Sequence, residues 1–124
     1  MPRRLRIYLI VCLASFCAAF LVQTVFQFLG ATRSHWGGNP GWQREIAFWN
    51  VFAVLVVAKA LHLNQATFSK AVSQGCVVLF LLLGTNHLFA FLATPSASFH
   101  WPPLILNYVG FVFGAQTLFS LRAQ

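Results

Sequence analysis

The sequence predicts an all-α integral membrane protein, a four-helix bundle in a single domain (residues 1–124) with both termini in the cytoplasm. Apolar residues make up 59% of the chain and charged residues only 7%, with one acidic side chain against eight Lys and Arg. A soluble surface needs about a quarter to a third charged residues, so this composition excludes a soluble domain. The same hydrophobicity excludes disorder. Two further observations support the prediction: the length of the apolar runs and the distribution of the basic residues.

Four apolar runs have the length of a membrane-spanning helix, which is about 20 residues. They lie at about 5–29, 43–63, 71–93 and 103–121. The segments between them are too short to hold a soluble domain. The sequence therefore predicts a multi-pass protein whose connecting segments hold no domain.

The first span has an alternative interpretation as a signal peptide. Arg3, Arg4 and Arg6 form a basic start, and Ala18 with Ala19 resembles a cleavage site. The apolar run continues well beyond the 7–15 residues of a signal-peptide core. We therefore expect a retained helix.

Turn and cap residues mark the boundaries of the later spans. The sequence 39–41 (Asn-Pro-Gly) is typical of a turn, and Ser69 is placed to cap the third span. Pro102 and Pro103 suit the first turn of the fourth span, where a missing N–H costs nothing.

The basic residues predict the orientation, because cytoplasmic loops carry an excess of Lys and Arg. If the N-terminus lies in the cytoplasm, six of the eight Lys and Arg residues lie in or near the cytoplasm and two lie outside. The same orientation places all four tryptophans near the outer interface. We expect the protein to be located in the cytoplasmic (inner) membrane. The basic residues are not clustered on one polar face, so no nucleic-acid partner is predicted. The inner six are Arg3, Arg4, Arg6, Lys59, Lys70 and Arg122, and the outer two are Arg33 and Arg44.

Amide and imidazole side chains fall at a similar depth in the outer half of all four spans. Polar groups in hydrocarbon are costly unless they face the bundle and find partners. Two compatible interpretations follow: hydrogen bonds that hold the helices together, or a polar floor beneath an outward-opening pocket. The residues of this layer are Gln23, Asn50, Asn86, His87 and Asn107.

Glu45 is the only acidic side chain, and it lies where the second span begins. A helix N-terminus favours negative charge, so a partly solvated helix start is one interpretation. The others are an ion pair with Arg33 or Arg44 and a proton acceptor opposite His87. The predicted binding residues are Gln23, Gln43, Glu45, Trp49, Asn50, Asn86, His87 and Asn107, with Glu45 and His87 as the candidate catalytic pair.

No metal site and no cofactor are predicted. The three cysteines fall inside apolar spans without a C-x-x-C spacing, as small hydrophobic residues do. His35, His100 and Glu45 belong to the outer side, but no ligand spacing supports a metal site there.

Gly110 and Gly114 form a G-x-x-x-G pattern, which lets another helix backbone approach closely. The pattern fits packing within one chain or between chains. The predicted partners are the lipid bilayer, a larger membrane complex or a homo-oligomer through these glycines, and a hydrophobic small molecule.

Three short stretches carry a resemblance to a known group of proteins: residues 39–50 (NPGWQREIAFWN), 84–88 (GTNHL) and 106–110 (LNYVG). They resemble parts of small, uncharacterised four-helix bacterial membrane proteins that are loosely similar to DoxX-like proteins. The resemblance implies that Gln43, Glu45, Asn50, His87 and Asn107 are functional positions. It also implies an association with quinone-linked or redox membrane complexes.

Three functions remain open from the sequence. The first is a non-catalytic accessory or complex-forming membrane component, which is favoured because no motif for nucleophilic, metal or phosphate chemistry is present. The second is an outer-leaflet binding or transport module for a hydrophobic or quinone-like molecule. The third is a membrane enzyme in which Glu45 and His87 transfer a proton.

Overall fold

The structure, a computed structural model, describes residues 1–28, 34–96 and 99–121. Leu29, at the end of the first predicted span, and Arg33 and Arg122 of the orientation argument lie outside the described residues. The described residues form four α-helices and no strand, which confirms the all-helical prediction. Each helix is long and apolar enough to cross a membrane. The helices are α1 (Arg3–Thr24), α2 (Pro40–Leu63), α3 (Ala66–Ala93) and α4 (Trp101–Ser120).

The start of α2 differs from the prediction of a turn at 39–41. Asn39 is the N-cap residue, and its side-chain oxygen accepts hydrogen bonds from the backbone N–H groups of Gly41 (3.0 Å) and Trp42 (3.2 Å). Pro40 occupies the first helical turn, where its missing N–H is no loss. The same residue types that favour a turn therefore begin a helix here.

The start of α3 also differs, because the helix begins at Ala66 and not near residue 71. Ser69 is wrongly predicted as a cap. It lies inside the helix, fully buried, and its hydroxyl donates to the carbonyl oxygen of Ala60 in α2 at 3.3 Å. Backbone hydrogen bonds continue through Ser69 and Lys70, although their polarity ends the apolar run in the sequence.

The helices pack as two hairpins. α1 packs mainly on α2 and α3 mainly on α4, and the hairpins meet through contacts of α1 with α3 and α4 and of α2 with α3. The rings of Phe16 and Phe80 stack between α1 and α3, with centroids 5.8 Å apart. The buried core consists of Tyr8, Leu9, Cys12, Phe16, Val57, Ala60, Cys76 and Phe80.

The two glycines of the G-x-x-x-G pattern are buried inside this bundle. A methyl group at Gly114 would overlap the ring and hydroxyl of Tyr8 in α1 and the Val77 side chain in α3. A methyl group at Gly110 would lie 3.0 Å from the Phe80 ring. Both glycines therefore make room for aromatic rings of the same chain.

The bundle has two distinct ends. The 34–36 segment meets Thr94 and His100 at one end, which we call the histidine end. At the other, the terminal end, the N-terminal amine donates to the carbonyl oxygen of Asn64 at 3.4 Å. Asn64 closes α2 in the left-handed conformation, with φ of 53°.

We expect Gly114→Ala to lower the free energy of unfolding by about 1–3 kcal/mol, because the added methyl group overpacks the Tyr8 site. Thermal unfolding in detergent micelles measures this loss. Gly84→Ala is the matched control, since a methyl group there meets Asn107 and Tyr108 at the ordinary contact distance of 3.4 Å. Equal stability of the two variants would contradict the described packing of α1 against α4.

Candidate functional site

The candidate site is a group of six residues at the histidine end, and we call it the histidine cluster. Five of them come from two loops that the sequence placed on one side of the membrane, and these loops bring them onto the end of α3 near His87. Hydrogen bonds and ring contacts connect all six. The members are Ser34, His35, Trp36, His87, Thr94 and His100.

His100 lies at the centre of the histidine cluster and is fully buried. Its Nε2 accepts a hydrogen bond from the backbone N–H of His35 at 2.9 Å and lies 3.1 Å from the Ser34 hydroxyl. Its Nδ1 lies 3.1 Å from Nδ1 of His87. Both ring nitrogens of His100 therefore have partners.

The backbone contact determines the tautomer of His100. A backbone N–H only donates, so Nε2 of His100 is unprotonated, and the neutral ring carries its hydrogen on Nδ1. Nδ1 then donates to Nδ1 of His87, which leaves the His87 hydrogen on Nε2. The two imidazoles form a directed hydrogen-bonded pair in which both rings are neutral.

Trp36 covers the histidine pair. Its ring centroid lies 4.5 Å from that of His100 and 5.1 Å from that of His87. The Trp36 backbone N–H donates to the Ser34 hydroxyl at 3.1 Å, and the His35 ring lies 2.7 Å from the Thr94 hydroxyl. These contacts hold the 34–36 segment against α3 and the segment that precedes α4.

Electrostatics favour the neutral form of His100. Burial lowers the pKa of the His100 imidazole below its usual value, and the neighbouring His35 lowers this pKa further. A proton on Nε2 would also oppose the N–H of His35, which donates to that atom. Protonation of His100 therefore works against the contact that holds the loop.

Ser34, His100 and His87 follow one another through hydrogen bonds, as a nucleophile, a base and an orienting group do in a catalytic triad. The Ser34 hydroxyl shares the Nε2 lone pair with the His35 N–H, which makes the shorter contact. Since that lone pair is already taken, the serine has no free base. The geometry supports a structural role for His100, which holds the 34–36 segment in place through the His35 N–H.

The predicted polar layer is not one hydrogen-bonded network in the described residues. Asn50 donates to the Ile46 carbonyl oxygen at 3.1 Å and Asn107 to the Pro103 carbonyl oxygen at 2.7 Å, each within its own helix. Gln43 donates to the carbonyl oxygen of Gln27 at 3.4 Å. Each of these amides thus binds a backbone carbonyl.

The other predicted residues lie at or near the surface of the bundle. Glu45, Trp49 and Asn86 are exposed, and Gln23 is half-buried in α1. The Trp49 ring makes an edge contact with Phe52, with centroids 6.3 Å apart. The structure pairs His87 with His100, whereas Glu45 faces outward from α2.

Two cavities along the described residues contain no predicted site residue in their linings. One of about 440 Å³ is an open, apolar groove along α4 between Leu104 and Gln116. The other, of about 270 Å³, lies near the terminal end and includes Arg4 and Thr117. Within residues 1–28, 34–96 and 99–121, no three His, Cys, Asp or Glu side chains are grouped so as to hold a metal ion.

Sequence reasoning placed His35 and His100 on the outer side but did not join them to His87. The available signal was the location of three of the four histidines toward one side of the membrane. Their direct contact depends on the path of two loops, which residue spacing does not reveal. Comparison of the chain with family models, curated proteins and solved structures gives no significant match.

We expect His100→Ala to reduce stability by about 1–3 kcal/mol, because it leaves the His35 N–H without its buried acceptor. The substitution should also weaken the dependence of the free energy of unfolding on pH. With a lowered folded-state pKa, the unfolded state binds the proton first, so stability falls as the pH drops below about 6.5 and levels off below the folded-state pKa. His35 and His87 are the other titratable groups that face this ring.

Thermal unfolding at pH 7 and pH 5 checks this expectation. His62→Ala is the control, because His62 is exposed and lies near the other end of the bundle. An identical loss of stability between pH 7 and pH 5 in the wild type and the His100 variant would contradict this structural role of His100.

Proposed function

We propose that the protein is a non-catalytic, complex-forming component of the cytoplasmic (inner) membrane. The observation that carries this proposal is Asn86. Its side chain is exposed on α3 and makes no hydrogen bond to any other described residue. A polar group in this position needs a partner from outside the chain.

The depth of Asn86 gives this observation its weight. α3 contains 28 residues, and Asn86 lies about 10 Å from the helix centre at 1.5 Å per residue. The hydrocarbon core extends about 15 Å from its midplane. An unsatisfied amide inside that core is costly, and asparagine side chains in such positions bind across helix–helix contacts.

Glu45 adds a second exposed polar group at a similar depth on α2. It too makes no hydrogen bond to another described residue. Trp49, which is 65% exposed, and Phe52 lie beside it on the same helix. A carboxylate beside exposed aromatic rings is compatible with a contact to another protein. It is also compatible with a position at the edge of the bilayer.

The alternative functions remain predictions from the sequence. An outer-leaflet pocket for a hydrophobic or quinone-like molecule gains no support from these two cavities, because none of the predicted binding residues is in their linings. An enzyme with Glu45 and His87 as its proton-transfer pair gains none, because His87 is engaged by His100. The resemblance to DoxX-like proteins and the association with redox complexes that it implies also remain predictions from the sequence.

The proposed orientation places the terminal end in the cytoplasm and the histidine end outside. Its support is the excess of Lys and Arg toward the terminal end. The Met1 amine and the Asn64 turn lie together at that end.

We expect Asn86→Leu to shift the protein from a larger assembly toward the 13.8 kDa monomer without loss of fold, because it removes the unpaired amide. Native mass spectrometry after gentle detergent extraction measures the shift. Asn50→Leu is the matched control, since its amide binds its own helix. A wild-type protein that is entirely monomeric under these conditions would contradict the proposed function.

We expect a cysteine at Gly38 to react with a membrane-impermeant maleimide in intact cells, and a cysteine at Asn64 to react only after lysis. Both positions are exposed at opposite ends of the bundle. Gel-shift labelling in a Cys17→Ala chain measures both, because Cys12 and Cys76 are buried. The reverse labelling pattern would overturn the orientation.

A further inference from the structure

We propose that the partner at Asn86 is a second copy of this chain, bound through an exposed face of α3. This inference rests on the proposed function and names the partner. It depends on three observations: the spacing of the exposed residues, the direction in which they point, and the chemistry of the amide between them.

Part of the exposed surface of α3 has the spacing of a coiled-coil seam. Within that surface, which also includes Val78, Leu81, Leu83 and Leu92, six exposed residues are spaced at intervals of 4, 3, 4, 3 and 4. At 100° per residue they occupy a stripe about 80° wide, and the stripe is about 27 Å long. That length matches the hydrocarbon thickness of about 30 Å. We call this stripe the α3 seam; its members are Gly75, Leu79, Leu82, Asn86, Phe89 and Ala93.

The α3 seam points away from the bundle. Gly84 and Phe80, on the opposite side of the helix, are buried against α4 and α1. Leu82 is 61% and Phe89 is 66% exposed, and a methyl group at Gly75 would meet no atom within 4 Å. The packing within the chain therefore leaves this stripe uncovered.

The chemistry of Asn86 favours an identical partner. An asparagine side chain carries both a donor and an acceptor, so two copies satisfy each other across a two-fold axis. Copies inserted with the same orientation place their Asn86 side chains at the same depth without adjustment. An unrelated partner would need its own polar group at that depth.

The flanking residues fit a close parallel contact. A single asparagine in a seam position sets register and oligomeric state in coiled coils. Leu79, Leu82 and Phe89 supply apolar contact on both sides of Asn86, and Gly75 lets the backbones approach near the terminal end. The expected crossing angle is about 20°, as in left-handed membrane helix pairs.

Cysteine cross-linking in native membranes tests the seam. In a Cys17→Ala chain, Leu82→Cys and Phe89→Cys should form disulfide-linked dimers under mild oxidation. Leu81→Cys and Leu92→Cys should not, although both residues are exposed at nearly the same depths. Equal cross-linking of all four positions would indicate collision in the bilayer and would overturn the seam.

Dimer affinity in detergent tests the role of the amide. Asn86→Leu should weaken the dimer about threefold to thirtyfold, the range expected for interhelical hydrogen bonds. Asn86→Gln should recover part of the affinity because it keeps an amide. Thermal unfolding of the monomer should be unchanged in both variants.

The two proposals fail separately. A larger assembly that persists while the seam cysteines do not cross-link would overturn the homodimer and leave the complex-forming function in place. A wild-type chain that is monomeric in every measurement would overturn both.

Discussion

The bundle depends on close contact between aromatic rings and glycines. In a bilayer the lipid is as apolar as the helices, so helix association relies on tight packing instead of the hydrophobic effect. Tyr8 fills the space over Gly114, and Phe80 fills the space over Gly110. The Tyr8–Gly114 contact joins the α1–α2 hairpin to the α3–α4 hairpin, and the Phe80–Gly110 contact packs α3 on α4 within the second hairpin.

The number and nature of the helices could be predicted because they depend on composition alone. A run of about 20 apolar residues needs a helix to satisfy its backbone in lipid. The helix ends could not be predicted in the same way. Asn39 caps α2 with its side chain, and α3 continues through Ser69 and Lys70, so backbone hydrogen bonding extends beyond the apolar runs.

Of the histidine cluster, only His87 was among the site residues predicted from the sequence. Asn50 and Asn107 were expected in a shared layer, and each instead binds a carbonyl oxygen of its own helix. Periodicity alone does not distinguish these outcomes, because a short amide side chain reaches the preceding turn as easily as a neighbouring helix. His35 and His100 lie in loops, whose paths are determined only after the helices pack.

The pairing of sequence neighbours also bears on how the chain assembles. α1 packs mainly on α2, and α3 mainly on α4, so most contacts form between helices that leave the ribosome one after the other. The first hairpin can be complete while residues 64–124 are still being made. The first hairpin already contacts α3, and α4 then adds the contact of Gly114 with Tyr8, while the segment before α4 brings His100 to the 34–36 segment. Synthesis of α4 is thus the step that completes the contacts between the two hairpins.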